Sequence, residues 1–570
     1  MLNIMAVKAM ADEIVYESLL AELFSQMNII NYLILSLFNA ILLLLVSPKF
    51  LQIMQQSGYE GLGYFKWLRR RDNIYLTRLI NLSMLSLLGF LLFNIFFSFL
   101  DRNWGFYVGF IFYFAFIIRY ANADKKLLKK KPLVFTARMK RLCVVYFILL
   151  YLASAVIIFL SNYLVSFASD NSILIRVRFA LICLTPIIVP IMVTIAHYVM
   201  KPYENKVQKR YIKITMAKLH ERSDCIKIGI TGSYGKTTVK EILKTILLEK
   251  YNVLATPSSF NTPMGICRTV KKLKPEHQVF IAEMGARHVG DIKELAEIVK
   301  PDYAIIGGIV GQHLETFGSL ESIQKTKYEL VQSMKKGVVA YTVDSENTSV
   351  LFRDCLIKSV PCGTKLDSNP EVYAKDIMVD SNGSTFTLVI GDEQAKCHTV
   401  LLGKHNVSNI CIASAIAHEM GLSISEISAG IGRLTQVKHR LELIKSERLG
   451  ITIIDDSYNA NVTGIECALQ VLNSFDARKI IITPGLGELG ATEDIENYRF
   501  GKKIAKVCDI AILIGKSSAF RMQDGLIDAG FNIDNVIIAK SLNEAVKKYK
   551  KIMQKDDVVL FENDLPDKFS

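Results

Sequence analysis

The sequence predicts an α-helical transmembrane domain of five helices followed by two α/β domains, the first built on a phosphate-binding loop (P-loop) and the second Rossmann-like. Three observations carry this. Long apolar runs crowd the chain before about residue 200, ordinary globular alternation follows, and "IGITGSYGKTTVKEIL" (228–243) sets a glycine-rich loop between a β-branched run and a helical one. At 570 residues the chain is also too long for one core.

Five runs, near 28–47, 77–100, 104–120, 142–167 and 177–199, are apolar enough for a bilayer, which takes about 20 residues to cross. The loop after the first holds Lys49, Lys66, Arg69, Arg70 and Arg71, and the loop after the third holds Lys125, Lys126, Lys129, Lys130, Lys131, Lys140 and Arg141. Cations gather on the cytoplasmic side of membrane proteins, so both loops are expected there. The acidic N-terminus, the turn at 101–103 and the stretch near Asp170 then lie outside. An odd number of spans returns the chain to the cytoplasm before Lys201, Lys206, Lys209 and Arg210. The expected layout is a membrane domain over 1–200, a basic juxtamembrane linker over 201–224, and catalytic domains in the cytoplasm of a multi-pass plasma-membrane protein. Residues 203–222 read equally well as a basic helix on the membrane surface or as a solvated linker. Asp12, Glu13, Glu17 and Glu22 speak against a cleavable leader. The net charge of +14 sits beside apolar runs, so anionic headgroups are nearer partners than nucleic acid. Ten scattered cysteines with no C-x-x-C pair fit a reduced compartment.

"IKIGIT" reads as a strand and "KTTVKEILKTILLEK" as a helix, the context a phosphate loop requires. The spelling departs from G-x-x-x-x-G-K-[ST], because Ile230 stands where the first glycine belongs; Gly229, Gly232 and Gly235 are present instead. Amides freed by glycine converge with a helix N-terminus on an anion, Lys236 offsets phosphate charge, and the Thr237 hydroxyl suits Mg²⁺. Four further segments follow: "VFIAEMGARHVGDI", "GQHLETFGSLESIQKTKYEL", "LLGKHNVSNICIASAIA" and "IIDDSYNANVTGIECAL". With G-I-T-G-x-x-G-K-T-T, these resemble in order and spacing the Mur ligase family, whose members join amino acids or short peptides to a carboxylate using ATP. "DDSYNAN" is similar to the branch that adds D-alanyl-D-alanine to a UDP-linked tripeptide. The resemblance covers roughly 225–565.

Taken alone, Glu283 ends the apolar strand "QVFIAE" at an edge where α/β sheets keep ligands, and serves either a hard cation or a helix cap. His313 reads as a surface histidine, Lys327 as a solvated helical lysine, and Asn406, Asn409, Asp456 and Asn459 as turn and cap residues. The resemblance implies more. It places Gly232, Ser233, Gly235, Lys236, Thr237 and Thr238 around the phosphates of ATP, with Thr237 on a first Mg²⁺. Glu283, His313 and a carbamylated Lys327 would hold a second Mg²⁺. Asn406 and Asn409 match positions near the adenine, Asp456 and Asn459 the segment that closes on the nucleotide, and Arg440 lies near the hinge. Catalytic roles fall to Lys236, Lys327 and His313, and the implied reaction runs through an acyl phosphate displaced by an amine.

A central ATPase domain is expected over 225–438, with a parallel sheet covered on both faces. The strands "ITIID", "KIIITPG", "DIAILIG", "NVIIAK" and "DVVLFE" form the Rossmann-like domain over 439–570, and ATP lies in the cleft between the two. Two departures matter. Soluble members carry a domain gripping the UDP end of the precursor, and the stretch 201–224 is too short for one. "LFENDLPDKFS" also stands where the family usually has a K-G-S-R-like turn, so an altered acceptor pocket is expected, while "PGLGELG" keeps only the E-L-G. Expected partners are a lipid-linked or UDP-linked carboxylate, an amino-acid or dipeptide amine, and membrane lipids. The alternative within the superfamily is a membrane-bound amino-acid polymer synthetase. An ATP-driven transporter lacks its signature motifs, and an inactive scaffold fits poorly with phosphate and metal positions that are all filled.

Overall fold

The computed structural model describes residues 29–69, 73–97, 104–125, 132–166, 180–311, 314–353, 355–458, 461–487, 489–515 and 517–563. The chain divides into two compact units, one ending at Val207 and the other beginning at Gln208.

The first unit is helical: α1 (Ile29–Val46), α2 (Pro48–Gln56), α3 (Gly61–Leu68), α4 (Ile74–Phe97), α5 (Trp104–Lys125), α6 (Ala137–Ser166) and, after a 3₁₀ stretch Ala180–Ile188, the long α7 (Val189–Glu221). Among the described residues, four helical segments are long and apolar enough to cross a membrane: Ile29–Val46, Ile74–Phe96, Ala137–Ser161 and Ala180–Glu221. The third expected span forms as α5, within which Val108–Asn122 is a further apolar helical stretch. The outer face is apolar, with Ile34, Leu88, Phe96, Ile111 and Val156 exposed. The interior carries a polar knot: Asn39 Nδ2 donates to Ser154 Oγ (3.0 Å) and Thr185 Oγ1 (3.2 Å), and Tyr113 OH donates to Asn39 Oδ1 (2.7 Å). Polar groups joined inside and apolar side chains outside is the pattern of helices associating in lipid, where water provides no drive and hydrogen bonds hold helices together. Arg141 donates twice to Glu204, at 2.7 and 2.9 Å, tying α6 to α7.

The second unit contains two sheets. In the first, β1 (Ile226–Thr231), β2 (Val253–Ala255), β3 (Val279–Glu283), β4 (Tyr303–Ile306), β5 (Val338–Thr342), β6 (Lys358–Gly363), β7 (Val372–Asp380), β8 (Gly383–Ile390) and β9 (Glu393–Thr399) take the order β2-β3-β1-β4-β5-β6-β7-β8-β9. Strands through β7 are parallel, whereas β7, β8 and β9 form an antiparallel meander. The expectation of a wholly parallel sheet fails there because the links "SN" and "GD" are too short for a crossover and serve only hairpins. Helix α8 (Lys236–Leu247) follows β1 and buries Val239, Ile242, Leu243, Ile246 and Leu247, whose three-to-four spacing gives it one apolar stripe. Helices α9 (Leu320–Gln332) and α10 (Lys404–Glu419) belong to the same domain.

The second sheet takes the order β10-β11-β15-β12-β13-β14 from β10 (Glu442–Ser446), β11 (Ile451–Asp456), β12 (Lys479–Thr483), β13 (Ile510–Ile514), β14 (Val536–Ala539) and β15 (Val558–Glu562), with α11 (Val462–Asn473) after β11. All five expected strands form, and β10 adds an antiparallel edge.

Candidate active site

Strand β1 delivers the loop 232–235 to the N-terminus of α8. Gly235 has φ +76°, and a Cβ there would stand 3.0 Å from Asn409 Oδ1; at Gly232 one would meet Gly307 Cα at 3.1 Å. Both positions bring backbone close to backbone or side chain, which only glycine permits. Gly229 has another use. Its missing Cβ makes room for Leu330 and Met284, so this glycine serves packing of the strand, and Ile230 beside it is fully buried in the sheet. Ser233 staples the loop to the segment after β4, its N–H donating to Gly308 O (2.8 Å) and its hydroxyl to Val310 O (3.1 Å). Lys236 Nζ donates to Gly232 O (2.7 Å) and Ser233 O (3.1 Å), curled over the loop. Burial draws its ammonium down to about 8, with Glu283 opposing and Arg440 adding to the effect. Thr238 is buried on α8.

Glu283 ends β3, and its register opposite Ile230 sets it beside the loop. It is fully buried, and its carboxylate is held from several sides. Thr237 Oγ1 donates to Oε2 at 3.0 Å, Lys240 Nζ approaches the same oxygen at 3.2 Å, and Asn261 Nδ2 donates to Oε1 at 3.2 Å. Lys240, with no exposed surface, also donates to Ser258 O. A hydroxyl and a carboxylate oxygen this close to a phosphate-loop lysine fit the oxygen donors a Mg²⁺ ion takes. Lys327, on α9, is buried, and burial followed by the nearby Lys236 charge pushes its ammonium well below the usual lysine range, against Asp291 and Glu329. His313 and Asn459 lie outside the described residues.

Asn406 and Asn409 are buried on the first turns of α10. Asn406 Nδ2 donates to Leu402 O (2.8 Å) and Asn409 Nδ2 to Asn406 Oδ1 (3.3 Å), so one amide orients the other against Gly235. From the C-terminal sheet, the Arg440 guanidinium lies 4.2 Å over the Tyr458 ring, and Tyr458 OH donates to Ser259 Oγ at 2.6 Å. Asp456 accepts from Leu441 N (3.3 Å); burial lifts its carboxyl to about 6, while Arg440 opposes. The structure thus gathers Gly232, Ser233, Gly235, Lys236, Thr237 and Glu283, with Asn409 against the loop. Lys240, Asn261 and the Tyr458–Ser259 contact were missed in the sequence. Lys240 is one helical turn beyond Lys236, a spacing that shares a face, whereas nothing local distinguishes Asn261.

Two family models match the chain, the Mur ligase middle domain over residues 230–417 and the Mur ligase glutamate ligase domain over 439–562. The chain is 33% identical over 307 residues to the UDP-N-acetylmuramoyl-tripeptide–D-alanyl-D-alanine ligase of Haemophilus influenzae, covering 53% of this chain and 66% of that one, just under two thirds. To the Bacillus subtilis ligase of the same name it is 30% identical over 338 residues, 59% of this chain and 72% of the relative. Among solved structures, MurF from Acinetobacter baumannii superposes with a TM-score of 0.57 at 26% identity, covering 63% of this chain and 77% of that one. MurF from Thermotoga maritima in complex with ADP shares the fold at a TM-score of 0.56 and 23% identity, over 63% and 80% of the two chains.

Proposed function

The chain belongs to the Mur ligase family, and on that premise we propose that it is an ATP-dependent ligase. It joins an amine to a carboxylate through an acyl phosphate, in the synthesis of a cell-envelope precursor. The observation that carries this is the buried Thr237–Glu283–Lys240 group set against the phosphate loop.

Loop amides and Lys236 bind the phosphates; Lys236 must release Gly232 O and Ser233 O to reach them. Thr237 would hold one Mg²⁺, and Glu283, His313 and a carbamylated Lys327 a second. Bound Mg²⁺ supplies charge neutralisation at the γ-phosphate, letting a carboxylate attack it. The buried Lys327 favours its neutral amine, the form that takes up CO₂ to give a carbamate anion and one proton. Arg440 and Asp456 bring the C-terminal domain to the nucleotide, and Asn406 and Asn409 line its adenine side. The relatives' names supply the reaction type, extension of a UDP-linked tripeptide by D-alanyl-D-alanine.

The carboxylate substrate is tethered in lipid. The apolar exterior and knotted polar interior of the first unit support a membrane domain; the reading of five spans, with the N-terminus outside and both catalytic domains in the cytoplasm, rests on the placement of Lys and Arg beside the apolar runs. Confinement in the bilayer supplies proximity that a uridine-gripping domain would otherwise provide. Cells carrying Lys236→Ala are expected to accumulate a lipid-extractable compound with a free carboxylate, identified by mass spectrometry. Accumulation only of a water-soluble UDP-linked compound would overturn the lipid tether, and accumulation of neither would count against the ligase.

A further inference from the structure

Strands β11 and β15 are parallel neighbours, and their register sets their last residues, Asp456 and Glu562, opposite one another. Glu562 is 1% exposed, and neither of its carboxyl oxygens has a hydrogen-bond partner among the described residues. The strand end is fixed. Asn563, at φ +64°, donates its N–H to Asp456 O (3.1 Å) and its Nδ2 to Gly485 O (2.6 Å). A buried carboxyl with no partner is costly, of order 1–3 kcal/mol, and native structures keep such groups where something else answers them. The Cys467 thiol on α11 lies within electrostatic reach of Asp456, Glu562 and the phosphate-loop residue Tyr234.

Resting on the ligase reading above, we propose that Asp456 and Glu562 form the subsite that takes the ammonium group of the incoming amine. Three N–H donors on one compact cation match the two unpartnered oxygens of Glu562 and one of Asp456, whose Oδ1 already accepts from Leu441 N. A hard divalent ion would want about six to eight oxygens, more than this pair supplies. Burial and the neighbouring Asp456 hold Glu562 well above the usual carboxyl range, with Asp456 at about 6 under the further influence of Arg440 and Asp455. Both shifts favour a shared proton on the pair. On binding, that proton leaves to solvent as R–NH₃⁺ takes its place against the newly ionised carboxylate.

Methylammonium chloride is the probe, added to the full-length protein in detergent with thermal unfolding as readout. It is expected to raise the melting temperature of the unaltered protein beyond equal sodium chloride, while tetramethylammonium, which has no N–H, does not. In Glu562→Gln the apparent Kd for methylammonium is expected to rise about tenfold or more, the loss of one charged hydrogen bond. Stabilisation of that variant by ATP with Mg²⁺ is expected to persist, showing that it is folded. Equal protection of both proteins, or none of either, overturns the subsite. Methylammonium protection in a protein that ligates no amine would leave the subsite standing and sink the ligase; ligation without such protection would do the reverse.

Discussion

Lys240 governs the electrostatics around Glu283. It has no exposed surface, and its ammonium lies 3.2 Å from a carboxylate that is itself 1% exposed. Removing one member of a buried pair leaves an uncompensated charge, so Lys240→Met is expected to cost about 3–5 kcal/mol, read by denaturant unfolding. The exposed pair Lys325–Glu321, at 2.8 Å, serves as the control; Lys325→Ala should cost less than about 1 kcal/mol. Similar losses in the two would mean that Glu283 does not depend on Lys240. The sequence marked Lys236, Thr237 and Glu283, because a glycine-rich loop between strand and helix and a carboxylate at a strand end announce themselves locally. Lys240 did not announce itself, since a lysine in a polar helix reads as solvated until burial is known. Ile230 illustrates the converse: the departure from the usual loop spelling is a core position of β1, and the loop's own glycines lie beyond it.

At the scale of elements, β1, β3 and the five parallel strands of the second sheet were legible because each is a short apolar run next to a helical stretch or loop. The β7–β9 meander and the edge strand β10 were not, as hairpin strands exposed on one face carry a weaker apolar signal. Between the two sheets, the Tyr458–Ser259 hydrogen bond joins the segment after β11 to the loop after β2. It lies on the surface, where a neutral hydrogen bond contributes about 1 kcal/mol. Tyr458→Phe keeps the ring beneath Arg440 and removes only that bond, so KM for ATP is expected to rise about fivefold with the melting temperature unchanged. A variant with an unaltered KM would show the contact to be incidental to nucleotide binding.

For the whole molecule, charge asymmetry sets an orientation that labelling can check. Leu62, 79% exposed on α3, belongs to the basic loop expected in the cytoplasm, and Asn103 to a turn expected outside. Leu62→Cys should resist a membrane-impermeant maleimide in intact cells and react once they are opened, whereas Asn103→Cys should react in both; the reverse pattern would invert the topology. Native thiols add little background, since every described cysteine is buried or half-buried. The sequence by itself determined the change from long apolar helices to globular alternation, the phosphate loop and the family, because hydropathy, period and motif spacing are local properties of a chain. Only the tertiary structure decided that Lys240 and Asn261 answer Glu283, and that Asp456 and Glu562 end side by side. Those pairings come from crossovers that set strands distant in sequence next to one another, and from burial, which depends on everything packed around a residue.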